Sequence, residues 1–320
     1  MAKIVECVPN FSEGRDKDKI ERIVKVFDNL EKVKMINYEA DQDYNRTVVT
    51  LIGEPEAVIE SIMKMVEVCL VEIDLNNHTG EHARMGAIDV IPFIPISDVT
   101  MKECVEYANI LAERIAATYD IPCFTYAEAA KEEKRILLPN IRKGEFEGMK
   151  EKIKLPEWYP DYGKPEIHPT FGVIGVGARD FLIAYNIDIL TKDEKKTGNF
   201  AKAIRASSGG FQFVQAGPVY LENKGHTQVT MNILNFKKNP IYRIFETVKM
   251  EANRYHMEVP SAEIVGLIPK DALVKSLKYY TDLNNEELAD DLTLDDIVKL
   301  SEKYLKLRDF TKDKIIEYFL

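Results

Sequence analysis

The chain has 320 residues, 45% hydrophobic and 30% charged, with a formal net charge of −10. This describes a folded globular protein, long enough for two domains, and argues against both disorder and a nucleic-acid partner, since no basic stripe interrupts the acidic balance. No apolar run approaches the roughly 20 residues that span a membrane. The N-terminal segment has an acidic residue where a signal sequence would be apolar, so a cytoplasmic location is expected. Cys7, Cys69, Cys104 and Cys123 lack CxxC spacing and read as core thiols of a reduced compartment.

A first strand ends in the polar turn Asn10-Phe11-Ser12-Glu13-Gly14. Ile20, Ile23, Val24 and Phe27 then recur at helical spacing. Residues 33–39 and the β-branched run 46–52, closed by Gly53, predict two strands. Pro55 opens a helix whose buried face is Val58, Ile62, Val66 and Cys69. The loop 78–86 follows and runs into an apolar strand at 88–95. Thr100 with Glu103 forms a capping box for a helix to about 118. Residues 121–126 read as a strand, and 138–153 as mixed helix and turn.

Residues 155–172 hold four prolines and the only Trp, so no regular element fits them. Long loops of this kind are usually functional, and a ligand contact is expected here. The stretch 172–179 is rich in glycine but alternates like a strand, and its glycines suit close approach of a flat ligand. The second half predicts a strand at 182–190, a helix at 192–207, and a hairpin of 211–221 and 227–234 turning at Asn223-Lys224-Gly225. A helix at 240–255 and a strand at 263–269 complete the pattern. The halves share strand, helix, strand ending Ile-Pro, helix. This duplication implies an α+β fold of two units, each a sheet with helices on one face, and binding in the cleft between them is the default expectation. The tail 284–320 reads as terminal helices.

The chemistry concentrates in His78-Thr79-Gly80-Glu81-His82-Ala83-Arg84-Met85-Gly86. His78-x-x-Glu81-His82 formally matches a zinc-hydrolase motif, but that motif works on a helix, and Gly80 and Gly86 disfavour one. No metal is expected; a zinc amidohydrolase using His78 and His82 is the alternative of a different class. The other reading is general acid–base work by His82, with Glu81 or Glu39 holding its tautomer and Arg84 binding a substrate carboxylate in a fork.

Four motifs carry a resemblance: residues 5–14 (VECVPNFSEG), Asn45-Arg46-Thr47-Val48, Gly80-Glu81-His82-x-Arg84-Met85-Gly86-Ala87 with Asp89-Val90 and Pro92-Phe93-Ile94-Pro95, and Gly177-Ala178-Arg179 with 181–184. Over nearly the whole chain the sequence resembles the glutamate formimidoyltransferase family, in animals the N-terminal part of formimidoyltransferase-cyclodeaminase. The resemblance implies two ferredoxin-like subdomains, 1–181 and 182–320, flanking an electropositive cleft, with no cyclodeaminase domain. It implies transfer of the formimidoyl group from N-formimidoyl-L-glutamate to tetrahydrofolate, a co-substrate, in histidine degradation, by a homodimer with a separate cyclodeaminase downstream. His82 falls at the catalytic histidine and Glu39 at its acidic partner, where the family has Asp. The folate loop falls on Gly163-Lys164-Pro165-Glu166-Ile167-His168-Pro169-Thr170-Phe171-Gly172, whose interior departs from the animal version. Arg46, Arg84, Arg179 and Lys164 are candidate counter-charges for substrate carboxylates. A glutamate formyltransferase on the same fold is the nearer alternative, because amidine and formamide differ by one atom.

Overall fold

The computed structural model describes residues 2–222 and 224–320 and divides into two compact units between Asp180 and Phe181. The first unit contains strands β1 (Ile4–Cys7), β2 (Asn10–Phe11), β3 (Val33–Asp41), β4 (Arg46–Gly53), β5 (Ile88–Ser97), β6 (Cys123–Ala127) and β7 (Ile174–Ala178). Its helices are α1 (Lys17–Val24), α2 (Pro55–Glu72), α3 (Met101–Tyr119), α4 (Leu138–Arg142) and α5 (Glu145–Lys152). β1 and β2 are successive segments between β4 and β5, antiparallel to both, and β3 pairs outside β4. On the other side β5, β7 and β6 run parallel.

Local chemistry explains the elements. β4 is mostly β-branched, and its Thr47, Val49 and Leu51 are buried at alternate positions. The capping box forms: Thr100 Oγ1 accepts from the Glu103 N–H at 3.2 Å, and Glu103 accepts from the Thr100 N–H at 2.8 Å. α1, α2 and α3 bury one face of the sheet around Val5, Cys7, Phe11, Ile91 and Phe93. The helices are not confined to that face, however. Ile141 of α4 and Met149 of α5 pack with Val90, Phe124 and Tyr126 in a second cluster on the other side. Apolar spacing marks a buried helix face without saying which side of a sheet it will cover.

The second unit contains β8 (Ile183–Ile189), α6 (Glu194–Ile204), β9 (Val214–Leu221), β10 (His226–Ile233), α7 (Ile241–Asn253), β11 (Ala262–Val265), α8 (Lys270–Leu283) and α9 (Leu294–Leu305). Its antiparallel sheet has the order β11-β8-β10-β9. The hairpin is present; of its turn, Asn223 lies outside the described residues, and Gly225 has φ +69°. In the first unit β1, α1, β3, β4, α2 and β5 repeat the same βαββαβ path with the strand order β5-β1-β4-β3. Each unit is therefore built on a ferredoxin-like core, which the first extends by β7 and β6. All four cysteines are free and buried, and no helix among the described residues is long and apolar enough to cross a membrane.

Candidate active site

The segment between α2 and β5 is not helical beyond a short turn at Leu75–Asn77. It is held from beneath by the first polar turn: Ser12 Oγ donates to Gly86 O at 2.9 Å and the Ser12 N–H to Ala87 O at 2.8 Å. Asn45 extends the support, donating to Thr79 O and accepting from the Gly14 N–H, both at 2.9 Å. A Cβ at Gly86 would stand 2.0 Å from Val173 O, so only glycine lets the segment cross the start of β7.

Both ring nitrogens of His78 are committed. Nε2 lies 2.9 Å from Asn45 O, and Nδ1 accepts from Arg84 Nε at 3.3 Å. Burial, against the pull of the Asn45 bond, lowers its pKa, so the ring is a neutral strut. Arg84 is equally occupied: Nη1 donates to Glu145 and Glu147 at 2.8 and 2.9 Å, and Nη2 to Glu147 at 2.7 Å. This overturns the expectation that its fork is open for a substrate carboxylate; it clamps the start of α5 instead. Among the described residues no group of three or more His, Cys, Asp or Glu side chains is placed to hold a metal ion.

His82 is different. Its side chain is 11% exposed, and Nε2 lies 3.5 Å from Oδ2 of Asp89, which is 1% exposed. Asp89 also accepts from the Met85 N–H at 3.0 Å and from Arg142. Burial pushes this carboxyl up, but His82, Arg142 and the Met85 N–H more than offset it and hold it below the usual range. Arg142, the last residue of α4, is steadied by Lys152, whose Nζ donates to Asn140 O and Ile141 O at 2.7 Å each. Burial, with Lys143 adding, lowers the Lys152 amine to about 8.

The acidic neighbour of His82 is thus Asp89, not Glu39 or Glu81. Glu81 is exposed. Glu39 is exposed on β3, opposite Val48, which is in turn opposite Asn10, and Asn10 opposite Val90. Opposed residues share a sheet face, so Glu39 faces the same way as Val90 of the second cluster. Three strand spacings of about 4.8 Å keep it roughly 14 Å away from β5. Arg46, opposite Asp41, lies on that face too. Its Nε is buried without a hydrogen-bond partner among the described residues, and its guanidinium contacts the Tyr44 ring at 5.6 Å. Burial lowers its pKa; Asp41 and Asp89 favour its charge and Arg142 opposes it.

The proline-aromatic segment divides in two. Its first part is packing: Trp158 has Lys152 Nζ 3.9 Å from its ring centre, and Asp161 accepts from Thr125 and Arg135. In its second part Gly163, Lys164, Pro165 and Glu166 are exposed, with Lys164 paired to Asp120 at 3.0 Å. Ile167 and Thr170 are half-buried and Pro169 exposed. Pro169 O and Thr170 O accept from Asn76 and the Leu75 N–H. His168 and Gly172 close a turn on each other's backbones, Phe171 is fully buried, and Gly172 bridges to Gly86. The loop therefore ends four residues from His82 in sequence register. The glycines of β7 do not open space for a ligand: a Cβ at Gly177 would stand 2.6 Å from the Tyr126 ring, and one at Gly175 2.9 Å from Met85. Arg179 follows β7 at its far end, half-buried, donating to Asp180 O at 3.1 Å.

Sequence reasoning missed Asp89 and Arg142. The first left a signal, a lone charge in the apolar strand Ile88-Asp89-Val90-Ile91; the second left none.

Family models divide the chain where its two compact units meet. Residues 4–179 match the model of the formiminotransferase domain, N-terminal subdomain, and residues 184–320 that of the formiminotransferase domain. A glutamate formimidoyltransferase of Streptococcus pyogenes serotype M1 is 44% identical over 88% of this chain and 94% of its own length. One from Thermoplasma acidophilum is 42% identical over 88% and 93%. The formimidoyltransferase-cyclodeaminase of Gallus gallus is 39% identical over 88% of this chain but only 53% of its own length. With two matched subdomains, and relatives this similar along nearly their whole length, the chain belongs to the formiminotransferase family.

Proposed function

We propose that the chain transfers the formimidoyl group of N-formimidoyl-L-glutamate to N5 of tetrahydrofolate, with His82 as the proton carrier. The observation that carries this reading is the His82–Asp89 pair: a histidine backed by a buried, ionised carboxylate. N5 attacks the amidine carbon and forms a tetrahedral intermediate. His82 takes the N5 proton and delivers it to the glutamate nitrogen, the old C–N bond breaks, and glutamate leaves. A proton on Nε2, turned to Asp89, leaves Nδ1 for this exchange. Holding the two substrates in contact supplies much of the acceleration.

Arg46, without an ion pair among the described residues, is assigned to a substrate carboxylate. Glu39 reaches substrate from the far side of the same sheet face. Residues 163–172 take the folate tail, supported by their exposed first half and their junction with the His82 segment. Residues 1–181 and 182–320 act as the two subdomains of a cytoplasmic homodimer, with no metal, and a separate cyclodeaminase consumes the product.

The test is an absorbance assay of purified protein with tetrahydrofolate and N-formimidoyl-L-glutamate, converting product with acid to the methenyl form. N-formyl-L-glutamate runs in parallel. Signal with the formimidoyl donor is expected; signal only with the formyl donor moves the enzyme to the rival transferase, and silence with both sinks transfer altogether.

A further inference from the structure

Glu6 is a charged residue of the motif 5–14 that the chemistry above leaves unused. It sits in β1, opposite Ile52 of β4 and Ile94 of β5. Its neighbours Val5 and Cys7 are fully buried in the core beneath the helices, so the strand's two-residue period turns Glu6 to the other face, the one that carries Val90 and Glu39. There it is 4% exposed. Among the described residues no hydrogen bond to its carboxyl is found, and the charge of Arg179 is what opposes burial. Burial raises this carboxyl to about 7. Buried polar groups are nearly always hydrogen-bonded, and an unpaired carboxylate inside a strand is costly enough to need a reason.

Its position supplies one. Asn10, opposite Val90 and so beside Asp89, is four residues further along the same strand line. At about 3.3 Å per residue that is roughly 13 Å from Glu6. This is the reach of a fused bicyclic heterocycle with a hydrogen bond at each end. Tyr126 bridges the interval, within electrostatic range of Arg179 at one end and of Arg142 and Asp89 at the other.

We propose that Glu6 determines pterin specificity: its carboxylate accepts the adjacent N3–H and 2-amino donors of the reduced pteridine while His82 works at N5. The proposal rests on the transfer reading above. An ionised carboxylate only accepts, and its two oxygens match a pair of parallel N–H donors. The amidine of the other substrate offers a similar pair, but its carbon must sit at His82, so the remote carboxylate falls to the pterin. The direction also fits the loop. The tail leaves the pteridine next to N5, toward residues 163–172 at the start of β5 and β7, and the 2-amino edge points away, toward Glu6.

The test titrates wild-type enzyme and Glu6→Gln with tetrahydrofolate and with its 2-desamino-2-methyl analogue. Glu6→Gln keeps shape and removes a buried charge. It is expected to weaken tetrahydrofolate binding about ten- to a hundredfold, the range for hydrogen bonds to a charged group, with KM for N-formimidoyl-L-glutamate within about threefold. Wild type is expected to bind the analogue more weakly by a similar factor, and Glu6→Gln to lose that discrimination. Wild type that binds both pterins equally overturns the proposal without any variant, as does a variant that binds tetrahydrofolate within about threefold of wild type or discriminates as well as it does. Wild type that binds neither pterin and turns nothing over removes the transfer reading, and this proposal with it.

Discussion

Oδ2 of Asp89 lies 3.5 Å from Nε2 of His82 while the same carboxylate takes the Arg142 guanidinium. One buried anion therefore serves His82 and a fixed cation together. Arg142 helps keep Asp89 ionised, and the ionised carboxylate orients the ring. His82→Ala should lower turnover about a hundredfold or more, the upper part of the range for a lost general base, and leave tetrahydrofolate binding intact. Steady-state rates with a parallel binding titration check this. Activity within about threefold of wild type would take His82 out of the mechanism.

Asp89→Asn should be worse than a lost contact. The amide can present an N–H to Nε2 and reverse the tautomer, so turnover should fall at least about tenfold while the histidine remains in place. Arg142 would also lose its buried counter-charge. Its side chain is 20% exposed and can still reach water, so the stability loss should sit near the low end for a broken buried pair, about 3 kcal/mol. Rates measured below the melting transition, together with denaturant unfolding, separate the two effects. A folded variant with wild-type turnover would mean that Asp89 only holds α4.

Arg84 should behave as structure. Its guanidinium is divided between Glu145 and Glu147, so Arg84→Met should lower Tm by about 4–8 °C, as roughly 2 kcal/mol does in a unit of this size. KM for both substrates should stay within about twofold. A variant with unchanged Tm and a raised KM for N-formimidoyl-L-glutamate would return Arg84 to the substrate.

The βαββαβ path was legible in both halves because its cues are local: β-branched runs, Pro55 at a helix start, the Thr100–Glu103 box. The extension of the first sheet by β7 and β6 was not, because parallel pairing joins segments such as 88–97 and 174–178 that carry no mark of each other. His82 could be found from its loop, and its importance from a resemblance. The carboxylate beside it could have been suspected, since Asp89 interrupts an apolar strand. Arg142 could not: it ends a five-residue helix and meets Asp89 across 53 positions. Arg84 misled because a guanidinium beside a histidine looks the same in sequence whether it faces a ligand or two glutamates some sixty residues away on α5.

Arg46 carries the opposite expectation to Arg84. Its buried Nε lacks a partner among the described residues, and its neighbour Arg142 is a like charge. Arg46→Met should raise KM for N-formimidoyl-L-glutamate about ten- to a hundredfold, as loss of a charge-assisted bond to a carboxylate would, with Tm unchanged or higher. Substrate titrations and thermal melts decide it. A fall in Tm with unchanged KM would make Arg46 part of the scaffold.

Glu6 makes the stability of the ligand-free protein depend on pH in a direction opposite to most carboxylates. Burial pushes its carboxyl up to about 7 in the folded chain, against 4.5 for an ordinary glutamate. Between these values the folded chain holds a proton that the unfolded chain has released, so stability falls as pH rises from about 4.5 and levels off above about 7. The difference corresponds to about 3 kcal/mol, full stability lying on the acid side. Glu6→Gln cannot titrate and should lack this slope. Denaturant unfolding of both proteins at pH 5, 6, 7 and 8 should give curves that nearly coincide at pH 5 and diverge upward in pH, the glutamine variant being the more stable. Parallel curves across the range would mean that Glu6 is already ionised and paired in the folded protein. That would leave nothing for a pterin to satisfy.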